Sequence, residues 1–467
     1  GAAIRSDPCG PALASGLLLR RATSLKGAPV RKVIVLGTAL ILLQIPLLAY
    51  VLLQERTWGG LMRDGAQGVT VDSNGNVYVT GSMRRVDPIS GFEHNDAILL
   101  KYSAAGVLLW QRTYGNLPDP DNSASEAGIA VAATGTTGVV VVGNYSDGNI
   151  FLAKFTPDGD KDWERTWGAN REAAGGIAIA TTGTIYVTGS SFDVGNGDAF
   201  LLSFTDTGTL NWQRTWGGSL FERGLGVAVA TDGNIFITGD TQLSGNSAHL
   251  VKFAPDGLVL QQIAWGFIGK GGFPEDDMTV ATAVAAAPNG GAYVVGDTTG
   301  TGLDPNLVAV RFDSGANFVW SRVGGPGFGG AQTVAVGSNG NVNVAGTVIS
   351  EDGFSGDAFV WTLSANGKGE DAAVWGGTDQ FEGEHAQSIA VAPNLDVVVV
   401  GSAGPPPYTF ARGSKGAKAA SAFRDVVDGI VTDPAKQVGM PTTPVNPVVG
   451  SETFAGESDA FLLRVQP

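Results

Sequence analysis

The chain's three histidines, His94, His249 and His385, are the first candidates for chemistry, and no two of them share a metal-ligand spacing. A zinc site or a hydrolase triad would need one of them brought beside a nucleophile or further ligands, and no local motif provides that. Two carboxylate-rich stretches, PDPDN at Pro118–Asn122 and PEDD at Pro274–Asp277, place acids close enough to hold calcium. They lack the twelve-residue cage spacing of a built calcium loop, so solvated loops are expected there. Cys9 is the single cysteine. It can form no internal disulfide, and with no apolar run before it, it does not mark a lipid-attachment site. Five basic residues, Arg412, Lys415, Lys418, Arg424 and Lys436, follow the stiff PPPY of Pro405–Tyr408. They make a segment suited either to binding a partner or to linking as a disordered strand. No catalytic, cofactor-binding or metal-binding residue is assigned, and no cofactor is expected.

The elements that would have to position such residues are set by repetition. TLNWQRTWGG, Thr209–Gly218, returns in worn form as RTWGG ending at Gly60, RTYGN at Asn116, RTWGA at Ala169, IAWGF at Phe267, RVGGP at Pro326 and VWGGT at Thr378. A period near fifty residues marks a repeat architecture. With 69 glycines in 467 residues and only 16% charged side chains, turn-rich all-β structure is expected over helices. GVTVDSNGNVYVTG, Gly68–Gly81, alternates apolar residues around an Asp/Asn/Gly turn and predicts a hairpin. DAILLKY, Asp96–Tyr102, and VLLWQRTYG, Val107–Gly115, predict a second hairpin across a short turn. Four strands per period, arranged radially, are the signature of a propeller blade.

Separate counts agree on seven. A glycine closes the second strand at Gly81, Gly143, Gly189, Gly239, Gly296, Gly346 and Gly401, and the DAFLLKF-like third strand also occurs seven times. First strands are built of small residues and fourth strands carry most of the tryptophans, which suits a blade that widens outward. The succession WGG, GIAVA, DGNIYVTG, DAFLLKF, LNWQRTWGG resembles the seven-bladed β-propeller repeats abbreviated SBBP, over Gln54–Pro467. That resemblance implies an exported platform for binding rather than a fixed chemistry. DTGTLNW, Asp206–Trp212, also resembles the tryptophan-docking pattern of quinoprotein propellers, but a hairpin turn and a tryptophan packed between blades account for it. The fold class is therefore an all-β, seven-bladed propeller of four-stranded antiparallel blades, preceded by one transmembrane α-helix. Strand 54–59 is expected to complete the last blade by pairing with 459–467, and 402–458 is an insertion in blade seven.

Val33–Leu53 holds 21 residues without a charge, enough to span a bilayer. Arg31 and Lys32 precede it, so a cytoplasmic basic tail (1–32) and an exported propeller (54–467) on a bacterial inner membrane are expected. The tail is net +5 in a chain of −15, leaving the rest at −20, which repels nucleic-acid phosphate. Long connections fall between second and third strands or between blades, so they share one face, and the short turns share the other. The anchor is expected to enter on the short-turn face. These readings describe a non-catalytic interaction subunit of a larger respiratory, photosynthetic or secretory membrane assembly. It would touch neighbouring subunits through the anchor, the short-turn face and the basic insertion. The alternatives are a propeller enzyme, quinoprotein-like or carbohydrate-active, and an extracellular carbohydrate-binding or adhesion module.

Overall fold

A computed structural model describes residues 51–58, 64–86, 91, 93–114, 125–169, 171–192, 197–242, 247–267, 279–298, 306–324, 329–349, 356–377, 383–403, 408–411, 430–432 and 460–466. Among them no helix is long and apolar enough to cross a membrane. Val33–Tyr50 and the tail before it lie outside the described residues. Val51, Leu52 and Leu53, placed above in the apolar span, instead begin a β-strand.

The described residues form seven antiparallel blades. Blade 1 is Gly65–Val71, Val77–Val86, Glu93–Tyr102 and Leu108–Tyr114, from axis to rim. Blade 2 is Glu126–Ala133, Val139–Tyr145, Ile150–Phe155 and Lys161–Trp167. Blade 3 is Glu172–Ile179, Ile185–Ser191, Asp198–Phe204 and Leu210–Trp216. Blade 4 is Gly226–Val229, Ile235–Thr241, Ser247–Phe253 and Val259–Phe267. Blade 5 is Thr279–Ala286, Ala292–Thr298, Asn306–Phe312 and Phe318–Gly324. Blade 6 is Gly329–Val336, Val342–Ile349, Gly356–Leu363 and Gly369–Gly377. Blade 7 takes His385–Val391, Val397–Ser402 and Ala460–Gln466, and its rim strand is Val51–Trp58 from the other side of the chain. The closing pairing runs from Val51↔Gln466 to Trp58↔Ala460, so it begins three residues earlier than the expected 54–59. Blades 4 and 6 depart from four strands: Ile430–Thr432 pairs with Trp265–Phe267, and Tyr408–Ala411 with Val374–Gly377.

First strands touch one another around the whole ring, including blade 7 with blade 1. Small residues there allow the approach. At the recurrent second-strand glycine the reason is direct: a Cβ on Gly189 would sit 2.1 Å from the Ala173 carbonyl oxygen. The core lies between blades rather than within them. Seven apolar clusters correspond to the seven seams, such as Leu201 and Trp216 of blade 3 packed on Ile237 and Val251 of blade 4. Each fully buried side chain of this size contributes roughly 1.5–3 kcal/mol by leaving water.

The repeated W-x-R of the fourth strand joins each blade to the next. Trp212 Nε1 donates to Pro255 O at 3.2 Å, Arg214 Nε to Gly257 O at 3.1 Å and Nη2 to Asp256 O at 3.1 Å, while the guanidinium lies 5.2 Å from the Trp212 ring. The same grip on the neighbour's third-to-fourth turn is made by Trp110 with Arg112, Trp163 with Arg165, and Trp320 with Arg322. In blade 7, Gln54 and Arg56 do it on Ala105 and Gly106 of blade 1. Third-strand lysines reinforce the contact, Lys101 reaching Pro157 O at 2.7 Å and Lys154 reaching Asp206 O at 3.1 Å. Two fourth strands lack the pair. Blade 6 has Asp371 and Ala373 there, and its neighbour, blade 7, has no third-to-fourth turn to grip because those strands come from opposite parts of the chain. Blade 4 has Gln261 and Ile263, and the turn it faces carries Ala316 at φ +60° where the other turns carry glycine.

That exchange is sterically coupled. Gly208 sits at φ +77°, and a Cβ there would meet the Trp163 ring at 2.9 Å, whereas no indole stands opposite Ala316. Gly208→Ala is therefore expected to cost about 2 kcal/mol or more through the left-handed backbone and the clash, lowering Tm by several degrees. Ala316→Gly should change stability by less than about 1 kcal/mol. Thermal unfolding of both variants checks this, and equal losses would refute the coupling.

Candidate functional site

Antiparallel blades place the short turns on one end of the ring and the long connections on the other. On the short-turn end the fourth strands begin, and here the copies differ. Blades 2, 3 and 6 carry polar side chains, Asp160 and Asp162, Thr209 and Asn211, Lys368 and Glu370. The equivalent and adjoining positions in blades 7 and 1 are Leu53, Val107, Leu108 and Leu109, which are 45%, 58%, 40% and 52% exposed. Leu53 precedes Gln54, whose amide donates to Ala105 O at 2.6 Å, so these exposed apolar side chains lie at the fourth-strand starts of two blades joined by that bond. Leu258 and Leu260 at the fourth-strand start of blade 4, and Phe318 and Val319 at that of blade 5, are likewise exposed. Nothing in the blade requires these residues, since three blades manage with charges and hydroxyls; apolar side chains gathered at an exposed edge are the mark of a contact surface.

The same end is otherwise acidic. Its turns carry Asp158, Asp206, Asp232, Asp256 and Asp313. Asp313 is held below the usual carboxylate range, foremost by the Asn317 amide, which donates to it at 2.8 Å. Between blades 3 and 4 the end opens into a groove of about 560 Å³, lined by Thr181, Thr182, Tyr186, Ser203, Asn211 and Trp212 among others. The Tyr186 and Trp212 rings lie 5.9 Å apart at 44°.

The long-connection end gathers buried acids. Burial raises the pKa of Asp198, and neighbouring Glu222 raises it further; Glu222 is itself raised by burial, against bonds from the Gly218 amide and Thr241. Burial also pushes Asp297 up to about 7, opposed by the Ala331 amide that donates to it at 2.8 Å. Among the described residues no three His, Cys, Asp or Glu side chains are placed to hold a metal ion.

The structure leaves the three histidines apart. His94 lies 3.5 Å from Asp96, and His385 Nδ1 lies 3.2 Å from the Thr347 hydroxyl. His249 is wholly buried on the third strand of blade 4, where blades 2, 3 and 6 have Phe151, Phe200 and Phe359. Its ring packs 4.4 Å from Trp216, much as Phe200 packs 4.7 Å from Trp167. The Asp206–Trp212 stretch is absorbed by the inter-blade grip, with Asp206 O accepting from Trp163 and Trp212 donating onward. Arg412, Lys415, Lys418, Arg424 and Lys436 lie outside the described residues, as do 118–122 and 274–277. The exposed rim residues were missed in the sequence, although VLLW, LVLQ and FVW at the fourth-strand starts were their available signal.

Comparison with known proteins bears on the fold. Residues 63–82, the first hairpin of blade 1, match the family model described as SBBP, a beta-propeller repeat. No curated protein matches the chain. Among solved structures, a protein of unknown function from Dyadobacter fermentans is similar at 13% identity and TM-score 0.44, over 78% of this chain and 97% of its own. A protein of unknown function from Bacteroides caccae is similar at 14% identity and TM-score 0.38, over 58% of this chain and 88% of its own.

Burial lowers the His249 pKa from 6.5 to about 4, with the Asp240 charge acting the other way. The unfolded chain therefore binds one more proton than the fold between those values, so this group's contribution is complete above pH 6.5 and is lost as pH falls toward 4, by up to about 3 kcal/mol. Asp297 has the opposite sign, its raised pKa removing stability as pH rises from 3.8 toward 7. The difference between His249→Phe and the unsubstituted protein isolates the histidine. The variant's advantage in Tm should grow as pH drops from 7 to 5, and a constant difference across that range would show that His249 is not held neutral.

Proposed function

We propose that this chain of SBBP-type propeller repeats is a non-catalytic interaction subunit, tethered to a bacterial inner membrane by the apolar run that ends at β-strand residue Val51. The propeller lies on the exported side and docks by its short-turn end on another subunit of a membrane complex. The observation that carries this is the exposure of Leu53, Val107, Leu108 and Leu109 on the rim where the chain enters the ring. With Val51–Leu53 committed to the closing strand, a crossing helix would end by Tyr50, leaving almost no linker. These side chains would then face the membrane side at close range. Aspartates on the surrounding turns disfavour an anionic lipid surface, so a protein with an apolar and basic exported surface is the better partner. The basic insertion, with Arg412, Lys415, Lys418, Arg424 and Lys436, is a further contact toward acidic partners in this reading.

A second reading is favoured by the groove between blades 3 and 4, where Trp212, Tyr186, Asn211 and threonine hydroxyls offer the mixture of ring face and hydrogen-bonding groups that suits a saccharide. It predicts glycan binding that is lost in Asn211→Ala and left unchanged by rim substitutions.

Val107→Asp with Leu109→Asp tests the first reading, since both side chains are exposed and the fold should tolerate the change. Gentle purification from native membranes should recover the unsubstituted protein with its partner and the variant without it, at an affinity loss of tenfold or more. Full retention of the partner by a folded variant would refute the docking surface.

A further inference from the structure

The rim strand of a propeller blade is an open sheet edge with unpaired main-chain groups, available for another strand to join. In five blades the gripping arginine also turns back on its own strand. Nη1 donates to the carbonyl of the residue before it, Arg56 to Glu55 at 2.8 Å, Arg112 to Gln111 at 2.9 Å, Arg165 to Glu164 at 2.6 Å, Arg214 to Gln213 at 2.8 Å and Arg322 to Ser321 at 2.8 Å. Each bond occupies an acceptor on the outermost strand. In blades 4 and 6 the arginine position is Ile263 and Ala373, neither of which can do this. Those are the two blades that carry a fifth strand. Ile430–Thr432 lies on Trp265–Phe267, starting two residues beyond Ile263, and Tyr408–Ala411 lies on Val374–Gly377, starting one residue beyond Ala373. The five arginine-bearing edges have no added strand among the described residues.

We infer that the outer edges of blades 4 and 6 are strand-addition sites whose occupant is this chain's own insertion, and that the arginine closes the other five edges. The guanidinium takes the carbonyl that corresponds to Gln262 and Ala372, two to three residues short of the paired stretches, and so caps the edge at the end where the added strand lies. Isoleucine and alanine leave both free. Strand addition gains main-chain hydrogen bonds, and the β-branched and aromatic residues of YTFA and IVT suit an extended segment. Both strands belong to the insertion, so the segment between them, 412–429, which holds four of its basic residues, is fixed to the rim at its two ends.

The full-length protein allows a direct test. With Cys9 replaced by serine, Val374→Cys and Ala411→Cys occupy paired positions on the two strands and should form a disulfide in nearly every molecule under mild oxidation, read by peptide mass mapping. Adding Ala373→Arg should reduce that yield at least tenfold, while Ala373→Leu, of similar bulk without the guanidinium, should leave it high. Hydrogen exchange gives an independent readout in the cysteine-unaltered protein. Amides of 409–411 should be protected, and should lose protection in Ala373→Arg while amides of 358–363 in the same blade keep theirs. Absence of the disulfide and of protection in the parent protein would overturn the inference. So would retention of both in Ala373→Arg, or equal loss in the leucine variant. If Ala373→Arg unfolds the blade, the reciprocal change decides: Ile263→Arg should expose 430–432 alone, and unchanged protection there would overturn the inference equally.

Discussion

The ring depends on one repeated contact, a fourth-strand tryptophan and arginine holding the carbonyl oxygens of the next blade's third-to-fourth turn. Those carbonyls come from a tight turn with no strand partner for them, so the indole and guanidinium supply bonds that would otherwise have to be made to water. Each neutral bond is worth only about 1 kcal/mol net. Their effect is positional, because two or three donors on one side of a seam fix the turn that starts the next fourth strand, which then grips the turn beyond. Below this contact the apolar clusters between blades provide the larger energy without specifying angle or register. Of the two copies that lack the pair, blade 6 fits this division of roles, since Ala373 and Asp371 occur where there is no turn to hold, while blade 4 reaches the turn it faces through Lys252, which donates to Ser314 O.

Closure follows the same logic. Blade 7 is assembled from two parts of the chain, and its rim strand Val51–Trp58 both pairs with Ala460–Gln466 and reaches over to blade 1 through Gln54 and Arg56. Arg464 adds to this from the third strand, bonding Asp396 at 2.7 Å and the Ala104 carbonyl of blade 1. A buried arginine is affordable here because carboxylate and carbonyls satisfy its donors. The seam most exposed to opening is thus held by an ion pair, a strand pairing and the turn grip together.

The fourth-strand starts are free on blades 7, 1, 4 and 5, and there the chain has placed leucine, valine and phenylalanine in the open. The rim edges of blades 4 and 6 are free of arginine, and there the insertion adds its strands. Buried acids at the opposite end are raised by desolvation and held by amides and hydroxyls, as expected of groups that finish strand ends.

The sequence by itself determined the repeat, its seven copies and the four-strand blade, because hairpin periodicity and turn chemistry are local and recur in every copy. W-x-R was visible as a motif, but its target was not, since it bonds a turn more than forty residues away in the next copy, outside any local pattern. Only the tertiary structure decided that Val51–Leu53 serves the ring, as the closing strand needs residues to pair with Val465 and Gln466 regardless of their hydropathy. The exposure of Leu109, against the burial of equally apolar residues one strand inward, was likewise a matter of which side chain has a neighbouring blade above it. The fifth strands, YTFA and IVT, are β-forming runs too short to show which blade edge they join, because edge pairing is made through the main chain.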